Sequence, residues 1–272
     1  MKTEDAATPP APPEIILCST LEALSFEAAR IFADICRQRA RQTDGGIFCA
    51  LTGGRTPKRM YDLLTGPEYR ETIPWGRLYL FWGDERHLPL DDPRSNAGSV
   101  LPRLHSVPIP KDHLLPIPTD RENPQEAAEA YARTLQEVLR APDQSRPVFD
   151  LILLGLGEDG HIASLFPETA APDETVRWVV SLKRDVEDFS RISLTLPVIN
   201  QARRILFLVS GKEKAEIVKR IIQDPPKSTT LPARRVSPDG GHVTWLMDRE
   251  AASQLALEKV AALGYRVTHQ AD

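Results

Sequence analysis

Four short runs, Ile47–Leu51, Leu78–Trp82, Phe149–Leu154 and Ile205–Val209, are apolar almost from end to end, with Asp150 the one exception. A strand with one wet face alternates polar and apolar residues, so runs without that alternation have to be covered on both faces. Between them lie stretches whose apolar residues recur at helical spacing, such as Leu24, Ala28, Ile31, Phe32 and Ile35. Buried strands alternating with amphipathic helices select an α/β fold: a single Rossmann-like domain, with a mostly parallel sheet and helices on both faces. At 272 residues the chain exceeds the usual domain size of about 100–150, yet no internal repeat or composition shift marks a linker. The expected division is a disordered tail over 1–13 and one domain over 14–272.

Local signals place the individual elements. Glu14–Cys18 reads as the first strand, and Thr20 as the N-cap of a helix reaching about Gln42, before Gly45-Gly46 breaks the pattern. Thr56 at N-cap and Pro57 at the first helical position predict a helix through Met60, Leu63 and Leu64. Ser95-Asn96 predicts a short helix inside the proline-rich stretch from Leu88 to Arg121. Asn123-Pro124-Gln125-Glu126 is close to a capping box for a helix through Ala128, Tyr131, Leu135 and Val138. Trp178–Leu182, Arg191–Thr195 and Val243–Leu246 read as further strands and Lys212–Ile222 as a helix, with a last helix expected from Asp248.

Charge and cysteine usage narrow the function classes. A net charge of −4 argues against non-specific nucleic-acid binding, which wants a strongly basic face. A small anion needs only a few local cations. Cys18, Cys36 and Cys49 are odd in number and form no C-x-x-C pair. That pattern suits a reducing compartment better than a disulfide framework, so a cytoplasmic location is expected. No apolar run approaches the roughly 18 residues of a membrane span. The first residues, MKTEDAATPPAPPE, lack the apolar centre of a secretory signal. No H-E-x-x-H motif or Cys/His cluster supports a zinc site.

In sheets of this kind ligands gather beyond the carboxyl ends of the strands. Four strand ends run into glycine-rich or strongly polar turns, after Leu51, Trp82, Leu154 and Val209. In Thr52–Pro57 (TGGRTP), Gly53 and Gly54 admit close backbone approach, Thr56 opens a helix with free N–H groups, and Arg55 adds a cation. This fits an anion site, or merely a tight strand-to-helix turn. Gly155–Pro167 (GLGEDGHIASLFP) carries Asp159 and His161, a carboxylate able to raise the basicity of an imidazole and so make a general base. The plainer alternative is that Asp159 caps a helix and His161 is a bystander. Gly155, Gly157 and Gly160 also satisfy G-x-G-x-x-G. A dinucleotide site needs a helix directly after the last glycine and an acid at the next strand tip, where Lys183 and Arg184 stand instead, although an NADP site could use a basic residue there. Around Lys212 and Lys214 the P-loop spacing is absent, and a solvated helix face is the plain reading of both.

TGGRTP, GDERHLPLDDPRSNAG (Gly83–Gly98) and GLGEDGHIASLFP occur in that order, followed by Arg191–Thr195 (RISLT) and Gly211–Ala215 (GKEKA). In this combination the chain resembles the glucosamine-6-phosphate isomerase/6-phosphogluconolactonase family over nearly its whole length, on the lactonase side. The resemblance implies hydrolysis of 6-phospho-glucono-1,5-lactone to 6-phosphogluconate in the pentose phosphate pathway, without metal or organic cofactor. A phosphosugar lactone is then the small-molecule partner, with no nucleic acid and no membrane involved. It implies His161 as the base that activates water and Asp159 as its orienter. It further implies that Gly53, Gly54, Arg55 and Thr56, with Asp84, Arg86, Arg191 and Lys214, hold the phosphate or nearby oxygens. The isomerase branch typically follows D-G-H-x-A with F-N-E-P, whose glutamate assists proton transfer, and carries D-E-Y. Here Ser164–Pro167 bring no acid and the triplet is Asp84-Glu85-Arg86. A non-catalytic phosphosugar sensor would keep the Gly53–Thr56 turn but could dispense with Asp159 and His161. Two departures stand out. Thr52 and Arg55 replace the serines of the usual S-G-G-S-T-P turn, and Lys183–Ser190 replaces a proline-rich lead into R-I-T-L-T, so that lip is expected to be shaped differently.

Overall fold

The computed structural model describes residues 12–140, 146–225 and 231–270. Its strands are β1 Glu14–Cys18, β2 Ile47–Leu51, β3 Leu78–Trp82, β4 Asp84–Arg86, β5 Leu114–Leu115, β6 Leu151–Leu154, β7 Val179–Lys183, β8 Ser190–Leu194, β9 Arg204–Val209, β10 His242–Asp248 and β11 Arg266–His269. The helices are α1 Leu21–Gln42, α2 Lys58–Leu64, α3 Pro67–Arg70, α4 Asn96–Leu104, α5 Pro124–Val138, α6 Leu196–Ile199, α7 Ala215–Ile222 and α8 Leu257–Ala262.

Eight strands form one sheet in the order β11-β1-β10-β9-β6-β2-β3-β5, and every pair in it is parallel. Helices flank it, as the unbroken apolar runs require: Ile47, Leu78, Leu151 and Phe207 are fully buried. The carboxyl ends of β2, β3, β6 and β9 therefore lie side by side. A second, antiparallel sheet of order β4-β8-β7 stands at that same end. Gly83 joins the two sheets, donating to Leu51 O at 2.9 Å and accepting from Leu194 N at 2.9 Å.

Two buried tyrosines hold the strand ends where the chain leaves the ladder. Tyr61 Oη donates to Thr52 O at 2.8 Å and accepts from Thr52 N at 3.2 Å. Tyr131 Oη makes the same pair of bonds with Trp82, both at 2.9 Å. Each hydroxyl satisfies an N–H and a C=O that would otherwise be buried without partners.

Most helix starts fall where the sequence places them. Thr20 Oγ1 accepts from Ala23 N, Ser95 Oγ from Gly98 N and Asn123 Oδ1 from Gln125 N. The exceptions are informative. α2 begins at Lys58 with Pro57 as its cap residue, so Thr56 caps nothing and belongs to the turn itself. The stretch from Lys212 opens as a 3-10 turn, and α7 proper begins at Ala215. No helix starts at Asp248: its carboxylate accepts from the amides of Gly211 and Ala251 and from Ser210 Oγ, and the last helix begins at Leu257. The short edge strands β5 and β11 carried no clear sequence signal. Most of the tail expected over 1–13 lies outside the described residues, but Pro13 O accepts from Arg266 N, so position 13 is already tied to the sheet.

Candidate active site

The turn after β6 is built around its glycines. A Cβ on Gly157 would lie 2.0 Å from His161 Nδ1 and 2.5 Å from Asp159 Oδ1, so only glycine leaves room for both side chains to fold over the backbone. Gly160 adopts φ +85°, a conformation that glycine takes without strain. Gly157 N donates to His161 O, closing the turn. No helix follows Gly160; the chain passes through further turns to Ala163 at φ 47°. The dinucleotide reading therefore lacks its helix, and so does the reading of Asp159 as a helix cap.

Asp159 Oδ1 lies 2.6 Å from His161 Nδ1 and also accepts from His161 N at 3.1 Å. Partial burial pushes the Asp159 carboxyl up, but the hydrogen bond and charge of His161 outweigh it and hold the group at about 2. An ionised carboxylate only accepts, so in the neutral ring Nδ1 carries the proton and Nε2 the lone pair. Because the folded pKa lies below the ordinary 3.8, the contact stabilises the fold above that value and loses its contribution as pH falls towards 2. The urea midpoints of wild type and Asp159→Asn are accordingly expected to differ near pH 5 and to converge towards pH 2. The side chain is 39 % exposed, so solvent screens the pair and keeps the gap small.

Beside this turn is a cavity of about 370 Å3, lined by Gly53–Thr56, Gly155, Ser210 and Lys214. Among the described residues, the amides of Gly53, Gly54, Arg55 and Thr56 donate to no protein acceptor. Gly54 has φ +95°, and a Cβ on Gly53 would sit 1.8 Å from Asn96 Oδ1. The two cations of this cavity differ. Lys214 is 19 % exposed and 3.9 Å from Glu158, whereas Arg55 is 93 % exposed and, among the described residues, pairs only with Glu213, also at 3.9 Å. Lys212, which shares the motif, is exposed to solvent. Another cavity, about 730 Å3, is lined by Arg39, Phe48, Tyr79, Asp150 and Arg203 and contains none of the motif residues.

The Asp84-Glu85-Arg86 triplet is largely inward-facing. Asp84 Oδ2 accepts from Ser164 Oγ at 2.6 Å, Asp84 O from Asn96 Nδ2 at 2.9 Å, and Arg191 Nη1 stands 4.0 Å from the carboxylate. Glu85, fully buried, accepts from the amides of Arg86, Asn96 and Ala97 and from Ser95 Oγ, at 2.7–3.0 Å. It thereby sits on the N-terminus of α4. Arg86 donates Nη1 to Arg94 O, and its buried Nε has no hydrogen-bond partner among the described residues. His87 turns away, with Nε2 2.7 Å from Arg121 O. Arg191 is held by Glu187, Nε at 2.8 Å and Nη2 at 2.6 Å, and its Nη1 reaches Ser164 Oγ at 3.4 Å. Phe166 completes the floor, its ring 4.2 Å from that of His161.

The structure thus brings Gly53, Asn96, Asp84, Ser164, Arg191, Phe166, His161 and Asp159 into one unbroken series of contacts, with the Lys214 cavity alongside. Tyr61, Tyr131, Phe166, Glu187 and Asp248 were not singled out from sequence as site or anchoring residues. The bonds of Tyr131 to Trp82 and of Asp248 to Ser210 cross long stretches of chain, whereas Glu187 and Phe166 meet Arg191 and His161 four and five positions away without a motif spacing to mark them. Among the described residues no group of His, Cys, Asp and Glu could hold a metal ion, and no helix is long and apolar enough to cross a membrane.

Comparison with known proteins places the chain as a whole. A family profile described as glucosamine-6-phosphate isomerases/6-phosphogluconolactonase matches residues 19–245. A Synechocystis protein named 6-phosphogluconolactonase is 38 % identical over 207 residues, 76 % of this chain and 83 % of its own. An Arabidopsis thaliana protein named probable 6-phosphogluconolactonase 1 is 35 % identical over 252 residues, 89 % of this chain and 93 % of its own. The solved structure of 6-phosphogluconolactonase from Trypanosoma brucei superposes with a TM-score of 0.78 at 32 % identity, covering 90 % of this chain and 99 % of that one.

Proposed function

The chain belongs to the glucosamine-6-phosphate isomerase/6-phosphogluconolactonase family, and within it we propose hydrolysis of 6-phospho-D-glucono-1,5-lactone to 6-phospho-D-gluconate, with His161 activating water. The observation that carries this reading is the 2.6 Å contact of Asp159 Oδ1 with His161 Nδ1. It leaves Nε2 of the neutral ring as the basic nitrogen, in a turn whose first residues, Gly155 and Leu156, line the Lys214 cavity.

Water hydrogen-bonded to Nε2 loses a proton to the ring as its oxygen attacks C1 of the lactone. The tetrahedral intermediate then collapses, the bond from C1 to the ring oxygen breaks, and the proton on Nε2 passes to the departing oxygen. Asp159 stabilises the imidazolium formed in between. The Gly53–Thr56 amides and Lys214 are assigned to the phosphate, because uncommitted N–H groups beside a half-buried ammonium favour an anion. Arg191 is assigned to substrate oxygens through Nη1, its one edge not taken by Glu187. Arg86 and Asp84 act from behind: a buried carboxylate that already accepts from Ser164 and Asn96 would repel a phosphate, so Asp84 is assigned to orienting those two side chains. Arg55, almost wholly exposed, contributes its amide and long-range charge. A phosphosugar lactone is the only partner this reading requires, and one continuous catalytic unit over 14–272 suffices for it.

Ser164–Pro167 weigh against isomerase chemistry. Ser164 is fully buried on Asp84 and Phe166 is packed under His161, so neither position offers a second acid to the substrate. The deciding assay compares freshly prepared 6-phosphogluconolactone, corrected for spontaneous opening, with glucosamine 6-phosphate. Lactone opening well above the blank, with no turnover of the amino sugar, is expected; opening no faster than the blank overturns the reading.

A further inference from the structure

Lys183–Ser190, where the sequence departs from its family, turns the chain from β7 into β8. Around it cations and rings alternate in one continuous series. Arg184 Cζ lies 4.0 Å from the centroid of Phe166, and Arg191 Cζ lies 5.2 Å from the same ring. Arg191 Cζ is also 5.4 Å from the centroid of Phe189, which Arg94 Cζ approaches at 5.2 Å. Carboxylates fix the cations in place. Glu187 holds Arg191 through two bonds and stands 3.5 Å from Arg184; Glu168 holds Arg184 at 2.8 Å; Asp92 holds Arg94 at 2.9 Å. His161 rests on Phe166 at 4.2 Å, so the series ends against the imidazole.

This arrangement restricts two side chains that would otherwise be free to wander. Arg191 is long and has five N–H donors; Glu187 takes the Nε and Nη2 edge, so the remaining edge faces Ser164 and Asp84. Phe166 is held by two cations attracted to its π system, and the Phe166 ring limits how far the His161 ring can swing. Only the Arg191–Glu187 pair is well shielded from solvent, at 12 % and 13 % exposure, which suits an orienting role better than a surface one.

We propose that Glu187 and Arg184 are positioning residues for the reaction: Glu187 sets the edge that Arg191 presents, and Arg184, through Phe166, sets the plane of His161. The inference rests on the lactonase reading above. Its test uses Glu187→Gln, which keeps shape but loses the second acceptor oxygen, Arg184→Met, which keeps length but loses the cation, and Arg184→Lys as the conservative variant. Steady-state kinetics with fresh lactone are expected to show KM raised roughly tenfold in Glu187→Gln with kcat within about threefold, and kcat lowered roughly tenfold in Arg184→Met with KM within about threefold. Arg184→Lys should recover most of that kcat. In NMR spectra the His161 ring protons, shifted by the Phe166 ring current, should move in Arg184→Met and stay in Arg184→Lys. Kinetic constants within twofold of wild type with unmoved His161 signals overturn the proposal. So does a loss of rate that merely follows the unfolded fraction in urea titrations. Should the wild type fail to exceed the blank, the lactonase reading falls, and the NMR signals alone decide the role of Arg184.

Discussion

His161→Ala is expected to lower kcat for lactone opening by roughly 10²–10⁴-fold, the usual contribution of a placed general base, with phosphosugar affinity held within a few-fold. The split follows from the layout. The proposed phosphate cavity is lined by Gly53–Thr56, Gly155, Ser210 and Lys214 and does not include the imidazole. Removing the ring also removes the group that Asp159 accepts from, but that carboxylate is half-exposed and can take water instead, so the fold should tolerate the change. The measurement is kcat and KM with fresh lactone, beside a titration with 6-phosphogluconate. Asp159→Asn is the companion variant: an amide at that position can donate to Nδ1 and so favour the tautomer with its proton on Nε2, the wrong nitrogen for a base. A near-wild-type rate in His161→Ala would remove the imidazole from the mechanism.

Glu85→Ala should be the most damaging change to stability near the site, costing roughly 3 kcal/mol. Three backbone amides and the Ser95 hydroxyl converge on this fully buried carboxylate, and alanine leaves the amides of Arg86, Asn96 and Ala97 without an acceptor. Against a usual total of about 5–15 kcal/mol, such a loss is a large share. The pH dependence has the opposite sign to that of Asp159. Burial, only partly offset by the amide hydrogen bonds, raises the Glu85 pKa above its ordinary 4.5, so the native state holds this proton more tightly than the unfolded chain. Its contribution is full below that value and declines as pH rises through the folded pKa. Urea midpoints of wild type and variant should therefore differ most near pH 4 and approach each other above it. Loss of activity should accompany loss of stability, since the start of α4 carries Asn96, which bonds Asp84 and lies over Gly53. A variant as stable as wild type would show that water replaces the carboxylate.

The strands and the Asp159–His161 pair were legible in sequence because their information is local. Burial on both faces removes alternation from a strand, and that is visible within five residues. Two groups spaced i and i+2 in a glycine turn need no distant contact to meet. Gly157 belongs with them: the clash its Cβ would make is with neighbours two and four positions along.

Other assignments had no local answer. Lys212 and Lys214 are alike in sequence, and only the 3-10 turn from Gly211, fixed by Asp248 on a neighbouring strand, turns one to solvent and the other into the cavity. Asp248 itself resembled a helix start because an aspartate before a helical pattern usually caps; here its oxygens were already occupied by the turn after β9. The role of Glu85 could not be read from its own neighbours; it was set by α4, whose start lies eleven residues further on.

The sequence by itself determined a parallel, doubly covered sheet, the strand ends at which a site would form, and a carboxylate–imidazole pair within it. The tertiary structure alone decided which charges are spent on the protein and which remain for a ligand. Asp84 and Glu85 are consumed largely by the start of α4 and by Ser164, and Glu187 by Arg191, while the Gly53–Thr56 amides and Lys214 stay available. The physical reason is that periodicity encodes burial along one element, whereas the fate of a polar group depends on what another element brings to it.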